Sequence, residues 1–289
     1  MEKETGKATK CPYCKSLQVI KRGLRKTEQR GLIQRYSCKD CMRRFIVNDG
    51  FKRMRFNPQQ VTLCIDAYYR GMSFFKLQGH LEMFYSKSCH QYTILRWIRK
   101  FCTRIGRFVD KLKVGTSKRI QVDEMQFKTK GKESWFIDVI DPQTRFVLAS
   151  GYFRHRGLKE IRGILQECNR KDKEILAVTT DGYMAYRKVV GKTFRAYQKN
   201  VHHTIIQALK GEGFVHKIER LHNSIRERTK IMRGFKALHS AKAIMKGWEI
   251  FYNFIRVHQA IKKCPYELAL PELVLGKNRW LSLIEMSSA

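Results

Sequence analysis

The sequence predicts an α/β fold. Three adjacent strands are followed by helix, strand, helix, strand and a late helix, and a small metal-stapled ribbon and three short helices come first. Three observations carry this. Two CxxC pairs, Cys11-Pro-Tyr-Cys14 and Cys38-Lys-Asp-Cys41, open the chain. From about residue 118, apolar runs of strand length alternate with helical periodicity. Two strand-like runs close on aspartate, and a late periodic helix opens on glutamate.

Residues 11–50 make the first unit. Short β-like runs, Gln18-Val19-Ile20 and Leu32 to Tyr36, lie between the cysteine pairs and are set apart by Gly23 and Gly31. Each CxxC turn can present two thiolates to one ion, and four thiolates suit tetrahedral Zn2+, so Cys11, Cys14, Cys38 and Cys41 are assigned as zinc ligands. A unit this small buries too little surface to fold alone, and the metal would supply folding energy. Neither pair sits in a βαβ context, which argues against a redox dithiol. Lys21, Arg22, Arg25, Lys26, Arg30, Arg35, Arg43 and Arg44 crowd the unit and suit phosphates. Residues 1–10 before it are polar and expected to be loose.

Residues 55–110 are expected to form a helix-turn-helix. Asn57 caps the first helix and Pro58 takes its first position; Val61, Ile65, Tyr68 and Tyr69 make its apolar face, and Gly71 ends it. Ser73 caps the second, with Phe74, Leu77, Leu81 and Phe84 inward. Ser86 or Ser88 opens the third, where Ile94, Leu95, Ile98 and Phe101 pack. As a recognition helix, the third would offer His90, Gln91 and Thr93 to base edges and Arg96, Arg99 and Lys100 to phosphates. A plain helical bundle joining two domains is the competing reading. Cys64, Cys89, Cys102 and Cys168 lack partner spacing and read as core or surface thiols.

The α/β part spans residues 117–270. Strands are predicted at Arg119 to Asp123, Trp135 to Ile140, Phe146 to Phe153 and Ile175 to Asp181, the last almost wholly apolar. Helices are predicted over 157–170, Tyr183 to Val190 and 217–232, with a short strand from Thr193 to Tyr197. This order is that of a ribonuclease-H-like core, similar to a retroviral-integrase core. Residues 271–289 remain as a C-terminal tail.

In that topology the strands ending in Asp123 and Asp181 are neighbours, so their ends can gather two carboxylates. Glu219 lies in the first turn of the late helix, whose buried stripe is Ile218, Leu221, Ile225 and Met232. Glu219, Asn223, Arg226 and Lys230 make an adjoining polar face. Carboxylate oxygens suit hard divalent ions such as Mg2+ or Mn2+. Two such ions ~3.5–4 Å apart can stabilise both oxygens of an in-line phosphoryl displacement. Glu124 should point away from Asp123 by strand alternation, Asp138 lies inside a strand, and Asp141 fits a turn. His202, His203, His216, His222 and His258 show no ligand spacing and suit core or DNA-facing roles.

Lysine and arginine total 59 against 25 acids, a formal charge of +34. That excess selects a polyanionic partner, chiefly nucleic acid, which gains free energy by counterion release. Hydrophobic content of 43% is ample for a packed core and excludes a disordered basic tail. No apolar run approaches the ~18 residues of a spanning helix, and no leader pattern is seen, so no membrane role is expected. Nine cysteines without an export signal suit a reducing, cytoplasmic setting, in association with the nucleoid.

The segments VDE at 122–124, TTDGYMAY at 179–186 and KIERLHNSIRERTKIMRGF at 217–235 resemble the DDE-class insertion-sequence transposases, most nearly those of insertion sequence family six. YNFIRVHQAI at 252–261 and CPYELAL at 264–270 extend the likeness over roughly residues 55 to 270, and RYSCKDCMRRF at 35–45 resembles the zinc ribbons that head other transposases. Where relatives often carry asparagine before the glutamate this chain has Val215 and His216, and Val257 and Cys264 replace a usual proline and threonine. The resemblance implies metal-dependent cleavage and joining of DNA at terminal inverted repeats and a target, with Asp123, Asp181 and Glu219 as the metal triad and Asn223 and Arg226 on its DNA side. Joining two ends implies a homodimer or higher oligomer. A catalytically inactive DNA-binding regulator and a nuclease for RNA–DNA hybrids are the alternatives.

Overall fold

The structure, a computed structural model, describes residues 9–85, 87–195, 201–206, 216–232 and 234–288. Ser86, Tyr197 and Val215, all used in the sequence reading, lie outside them, as do residues 1–8.

The N-terminal unit is an antiparallel sheet of β1 (Val19–Thr27), β2 (Gly31–Cys38) and β3 (Arg44–Ile46). Gly23, at φ +74°, sits where the β1–β2 register slips. Only a residue without a Cβ takes that backbone cheaply. Cys11, Cys38 and Phe45 form its small core, apart from the main one. Ion pairs Arg30–Asp49 (2.6 Å) and Lys87–Glu28 (3.1 Å) tie the β1–β2 turn to the chain beyond the sheet.

Three helices come next. In α1 (Pro58–Tyr69) Asn57 and Gln60 form a reciprocal capping box. In α2 (Phe74–Phe84) the Ser73 hydroxyl accepts from the Lys76 N–H, and Leu77 and Leu81 are the buried residues. The third, α3, runs Gln91–Val109 and is capped by His90, whose Nδ1 accepts from the Tyr92 N–H. The cap is therefore a histidine and neither expected serine. Ile94, Trp97, Ile98, Phe101, Cys102, Ile105 and Val109 all face one core, which sustains α3 to Val109.

The main sheet has strand order β6-β5-β4-β7-β8. The strands β4 (Arg119–Thr129), β5 (Lys132–Ile140) and β6 (Val147–Phe153) form an antiparallel meander. Beyond β4 lie β7 (Ala177–Thr180) and β8 (His202–Ile205), both parallel to their neighbour. Helix α4 (Leu158–Lys171) connects β6 to β7, and α5 (Met184–Arg195) connects β7 to β8. After β8 come α6 (His216–Thr229), a 3-10 turn, and α7 (Leu238–Ile250) with a π-helical extension over Phe251–Ile255. This is the ribonuclease-H-like order.

Two expectations change. Strand β4 does not end at Asp123 but continues to Thr129 against β5; what stops there is its pairing with β7. Of the strand expected from Thr193 to Tyr197, residues 193–195 instead close α5, because Val189, Val190, Thr193 and Phe194 recur at helical spacing and are buried; residues 196 and 197 lie outside the described residues, and a strand is found at His202–Ile205. A short α8 (Pro265–Ala269) follows the π turn. Residues 271–289 include a helix, α9 (Arg279–Met286). Its Trp280, Leu283 and Ile284 are buried, and Trp280 stacks on Tyr69 and donates to Asp66. One contiguous apolar core thus joins α1–α3, the main sheet and α9.

Candidate active site

Register explains which acids meet. Gln121 of β4 lies beside Thr179 of β7, so continuing the pairing would set Asp123 beside Asp181. There β7 turns into a loop: the Asp181 carboxylate accepts from the Tyr183 N–H (3.0 Å), an Asx turn that leads into α5. The two strands part at that point, and one carboxylate oxygen each of Asp123, Glu124 and Asp181 lie within 4.8 Å of one another.

Strand alternation predicts that Glu124 points away from Asp123, yet one of its oxygens lies within 4.8 Å of oxygens of Asp123 and Asp181. One oxygen accepts from Arg156, the other from the Tyr186 hydroxyl. The Arg156 guanidinium lies 4.1 Å from the Trp135 ring centroid and 4.6 Å from that of Tyr183. The β4–β7 pairing has already ended at this level of β4, where Glu124 and Asp181 approach.

On the other face Asp123 and Asp138 are directly paired across β4 and β5, so both point at α6. The buried His222 ring bridges them: Nε2 is 2.9 Å from Asp138 and Nδ1 is 3.5 Å from Asp123. Two carboxylates on opposite ring nitrogens favour the doubly protonated imidazolium, and its pKa is raised against the pull of burial, chiefly by Asp138. The Asp123 pKa is raised as well, which for a carboxyl favours the neutral form. Burial pushes its carboxyl from the ordinary 3.8 to about 7, and Asp138 and Glu124 add to the rise, while His222 only partly offsets it.

Glu219 is exposed in the first turn of α6 and is not part of the three-acid cluster. It stands three residues before His222, which places it on the neighbouring turn of the same side. Asn223 and Arg226 are exposed further along α6. Ile218, Leu221 and Ile225 are buried as the stripe requires, joined by His222 and Arg228. Arg228 covers the Tyr68 ring at 4.1 Å and fixes α6 to α1.

On α3, His90, Gln91, Arg96 and Lys100 are exposed or partly so, and Thr93 is half-buried. Arg99 is turned inward and donates to Ser240 of α7. In the N-terminal unit the Cys11 and Cys41 sulfurs are 3.6 Å apart and those of Cys14 and Cys38 3.5 Å. A tetrahedral ion with metal–sulfur bonds of ~2.3 Å needs sulfurs about 3.8 Å apart, so the cluster fits zinc. The acid cluster likewise fits a hard divalent ion, since a desolvated carboxylate without full compensation favours one.

The residues that sequence reasoning passes over are His222, Asp138, Arg156 and Tyr186. His222 does carry a signal, one residue past the buried Leu221 and in step with Glu219.

Residues 117–258 match the model of an IS240-type transposase family described as the DDE domain. This stretch is a DDE transposase domain. Such a domain performs DNA strand cleavage and transfer, and the gathered carboxylates sit as in a DDE catalytic site. Among solved structures, the HTLV-2 integrase catalytic core domain in complex with magnesium is similar at 14% identity, covering 53% of this chain and 96% of that one, with TM-score 0.39. A simian T-cell lymphotropic virus intasome is similar at 13% identity, covering 72% and 71%, with TM-score 0.41. No curated protein matches the chain. Among the described residues no helix is long and apolar enough to cross a membrane.

Proposed function

We propose that this DDE enzyme cuts the terminal inverted repeats of an insertion sequence and joins them to target DNA, using Asp123, Asp181 and Glu219 as its metal-binding acids. The observation that carries the reading is the meeting of Asp123 and Asp181 where β4 and β7 part, beside the helix that bears Glu219. Mg2+ or Mn2+ bound there would polarise the phosphate and activate water or a DNA 3′-hydroxyl. Glu219 is preferred over Glu124 as the third acid because both Glu124 oxygens already accept strong hydrogen bonds. Glu219 is exposed and three residues, ~4.5 Å of helix, from His222, the residue 3.5 Å from Asp123.

The remaining units serve binding. Residues 11–50 hold Zn2+ on Cys11, Cys14, Cys38 and Cys41 and lay a basic sheet on phosphates. Residues 55–110 read the ends through His90, Gln91, Thr93, Arg96 and Lys100, while Arg99 fixes α3 to α7. Asn223 and Arg226 meet DNA at the mouth of the 117–270 domain. The enzyme works on the nucleoid in the cytoplasm, as a homodimer or larger assembly, because two ends need two active sites.

The test is a joining assay with a marker between the DNA ends flanking the gene. Mg2+-dependent transfer by wild type and not by Asp181→Asn is expected. Glu219→Gln should abolish transfer with end binding kept, whereas Glu124→Gln should mainly lower stability. End binding without transfer by wild type would instead support the inactive regulator, and cleavage of RNA–DNA hybrids without joining the nuclease.

A further inference from the structure

The turn between β5 and β6 holds a buried cation without a counterion. Arg145 is 7% exposed and sits in a left-handed backbone, φ +63°, with its N–H donated to the Asp141 carbonyl at 2.9 Å. The Asp141 carboxylate is already used. It accepts from the N–H and hydroxyl of Ser117, the Gln143 N–H and the Thr144 hydroxyl. Among the described residues the Arg145 guanidinium has no hydrogen bond or ion pair; the charges that reach it are those of Tyr252, Arg220 and Asp141. Lys171 and Arg228, the other buried lysine and arginine among the described residues, are provided for. Lys171 pairs with Asp110 and Glu167, and Arg228 covers the Tyr68 ring and donates to the Met72 carbonyl. A buried charge left alone is costly, and an anion brought from outside would offset that cost.

Further cations converge on this turn from two sides. The Asn253 side chain bonds the N–H and the carbonyl of Val147, at 2.8 Å each, and so fixes the π-helical segment beside the turn. From that segment Arg256 lies 5.8 Å from the Tyr252 ring centroid, and the His258 ring meets the same ring edge-on at 6.1 Å. On the other side His222, bonded to Asp138 near the end of β5, anchors α6, and Lys217 and Arg220 lie just before it. At about 100° per residue Lys217 and Arg220 stand about 60° apart, and Glu219 is about 100° further round, on the flank of Asn223 and Arg226. Arg220 is exposed, and Lys217, Arg256 and His258 are half-buried. The His258 Nδ1 accepts from the Ala260 N–H at 3.3 Å, which leaves Nε2 as the donor. Burial, then Arg145, Arg256, Arg220 and Lys217, hold its pKa below the ordinary 6.5, so four cations face one ring.

We infer that Arg145, Lys217, Arg220, Arg256 and His258 form a phosphate site that holds the backbone of a DNA strand beside the acid cluster. This rests on the DNA reading given above. Four fixed positive charges exceed what one phosphate neutralises, so consecutive phosphates of a strand fit better than a lone ion. The three arginines offer planar donor forks that match phosphate oxygens. The site is close to the chemistry, because Asp138, two residues before the end of β5, is the cross-strand partner of Asp123.

The experiment is titration of the zinc-loaded full chain with a fluorescent duplex of the element end, without Mg2+, over a salt series. Lys217→Gln, Arg220→Gln and Arg145→Met should each weaken binding about tenfold and flatten the slope of log K against log salt by about one. Arg162→Gln, exposed on α4, removes the same charge elsewhere and should leave the slope unaltered. Without DNA, Arg145→Met should unfold at no lower temperature than wild type, since it deletes an unpaired buried charge; a merely structural arginine would lower the midpoint. Slopes unaltered by Lys217→Gln and Arg220→Gln, or altered as much by Arg162→Gln, overturn the proposal. So does inorganic phosphate that moves the His258 ring resonance while DNA binding ignores the variants, which would give the site to a small anion. Flattened slopes in a wild-type background that never joins DNA would sink the transposase reading and leave this site standing.

Discussion

Replacing Asp123 by asparagine should make the fold more stable above neutral pH when the acid site holds no divalent ion. The folded carboxyl is pushed to about 7 against an ordinary 3.8, while the unfolded chain keeps the ordinary value. Between those values the folded state holds a proton that the unfolded state has lost, so this group's contribution falls as pH rises through the window. A shift of about three units at ~1.36 kcal/mol per unit gives an upper figure of about 4 kcal/mol. The side chain is 26% exposed and coupled to His222, so about 2 kcal/mol is the working expectation. Asparagine keeps the shape and drops the charge, and Asp138 remains to hold His222. The assay is urea unfolding of zinc-loaded protein in magnesium-free buffer at several pH values; a strong chelator is avoided because it would strip the ribbon. The stability difference between Asp123→Asn and wild type should be near zero below pH ~4, grow between pH ~4 and ~7, and reach its plateau above pH ~8. Adding Mg2+ should close the gap from the wild-type side only. A variant no more stable than wild type at pH ~8 would refute the account of a desolvated, under-compensated carboxylate.

Two further outcomes concern the rest of the chain. Cys38→Ser should remove the bound zinc, measured as metal per chain, and weaken end binding at least about tenfold. The main thermal transition should hardly move, since the ribbon core of Cys11, Cys38 and Phe45 is separate. Lys246→Met should cost about 3–5 kcal/mol in urea unfolding, because Glu249, 2% exposed, and Asp110 both lose their closest cation. Adding Glu249→Gln should recover part of that loss, since it removes the stranded charge.

The helices and strands that sequence locates well are those whose own residues decide them. The Asn57–Gln60 capping box and the Ile218, Leu221, Ile225 stripe are local patterns, and both stand in the structure. The misses turn on neighbours. Where β4 loses β7 is set by the Asx turn at Asp181, not by anything within residues 119–129. The TFRAY run at 193–197 has strand-like residue types, yet Val189, Val190 and Phe194 already commit its start to a helix packed on the sheet. Asp138 reads as inert inside its strand because its meaning depends on pairing with Asp123 across the sheet and on a histidine 84 residues away.

That pairing also says why two of the acids are left for a metal. Four carboxylates, Asp123, Glu124, Asp138 and Asp181, gather at the sheet centre of a chain whose net charge is +34. Two cations accompany them, His222 and Arg156, and each has its closest contact with a different acid. His222 sits 2.9 Å from the fully buried Asp138, and Arg156 bonds Glu124 while stacked on Trp135 and Tyr183. The two structural acids are thereby neutralised where they stand. Among the described residues, Asp123 has the far side of His222, at 3.5 Å, and the Glu124 N–H, at 2.8 Å, and Asp181 a backbone N–H, with no lysine or arginine paired to either. A basic protein could have set a lysine or arginine against either. With neither described beside a carboxyl that burial raises to about 7, a divalent ion bound there would supply the missing positive charge and displace the carboxyl proton.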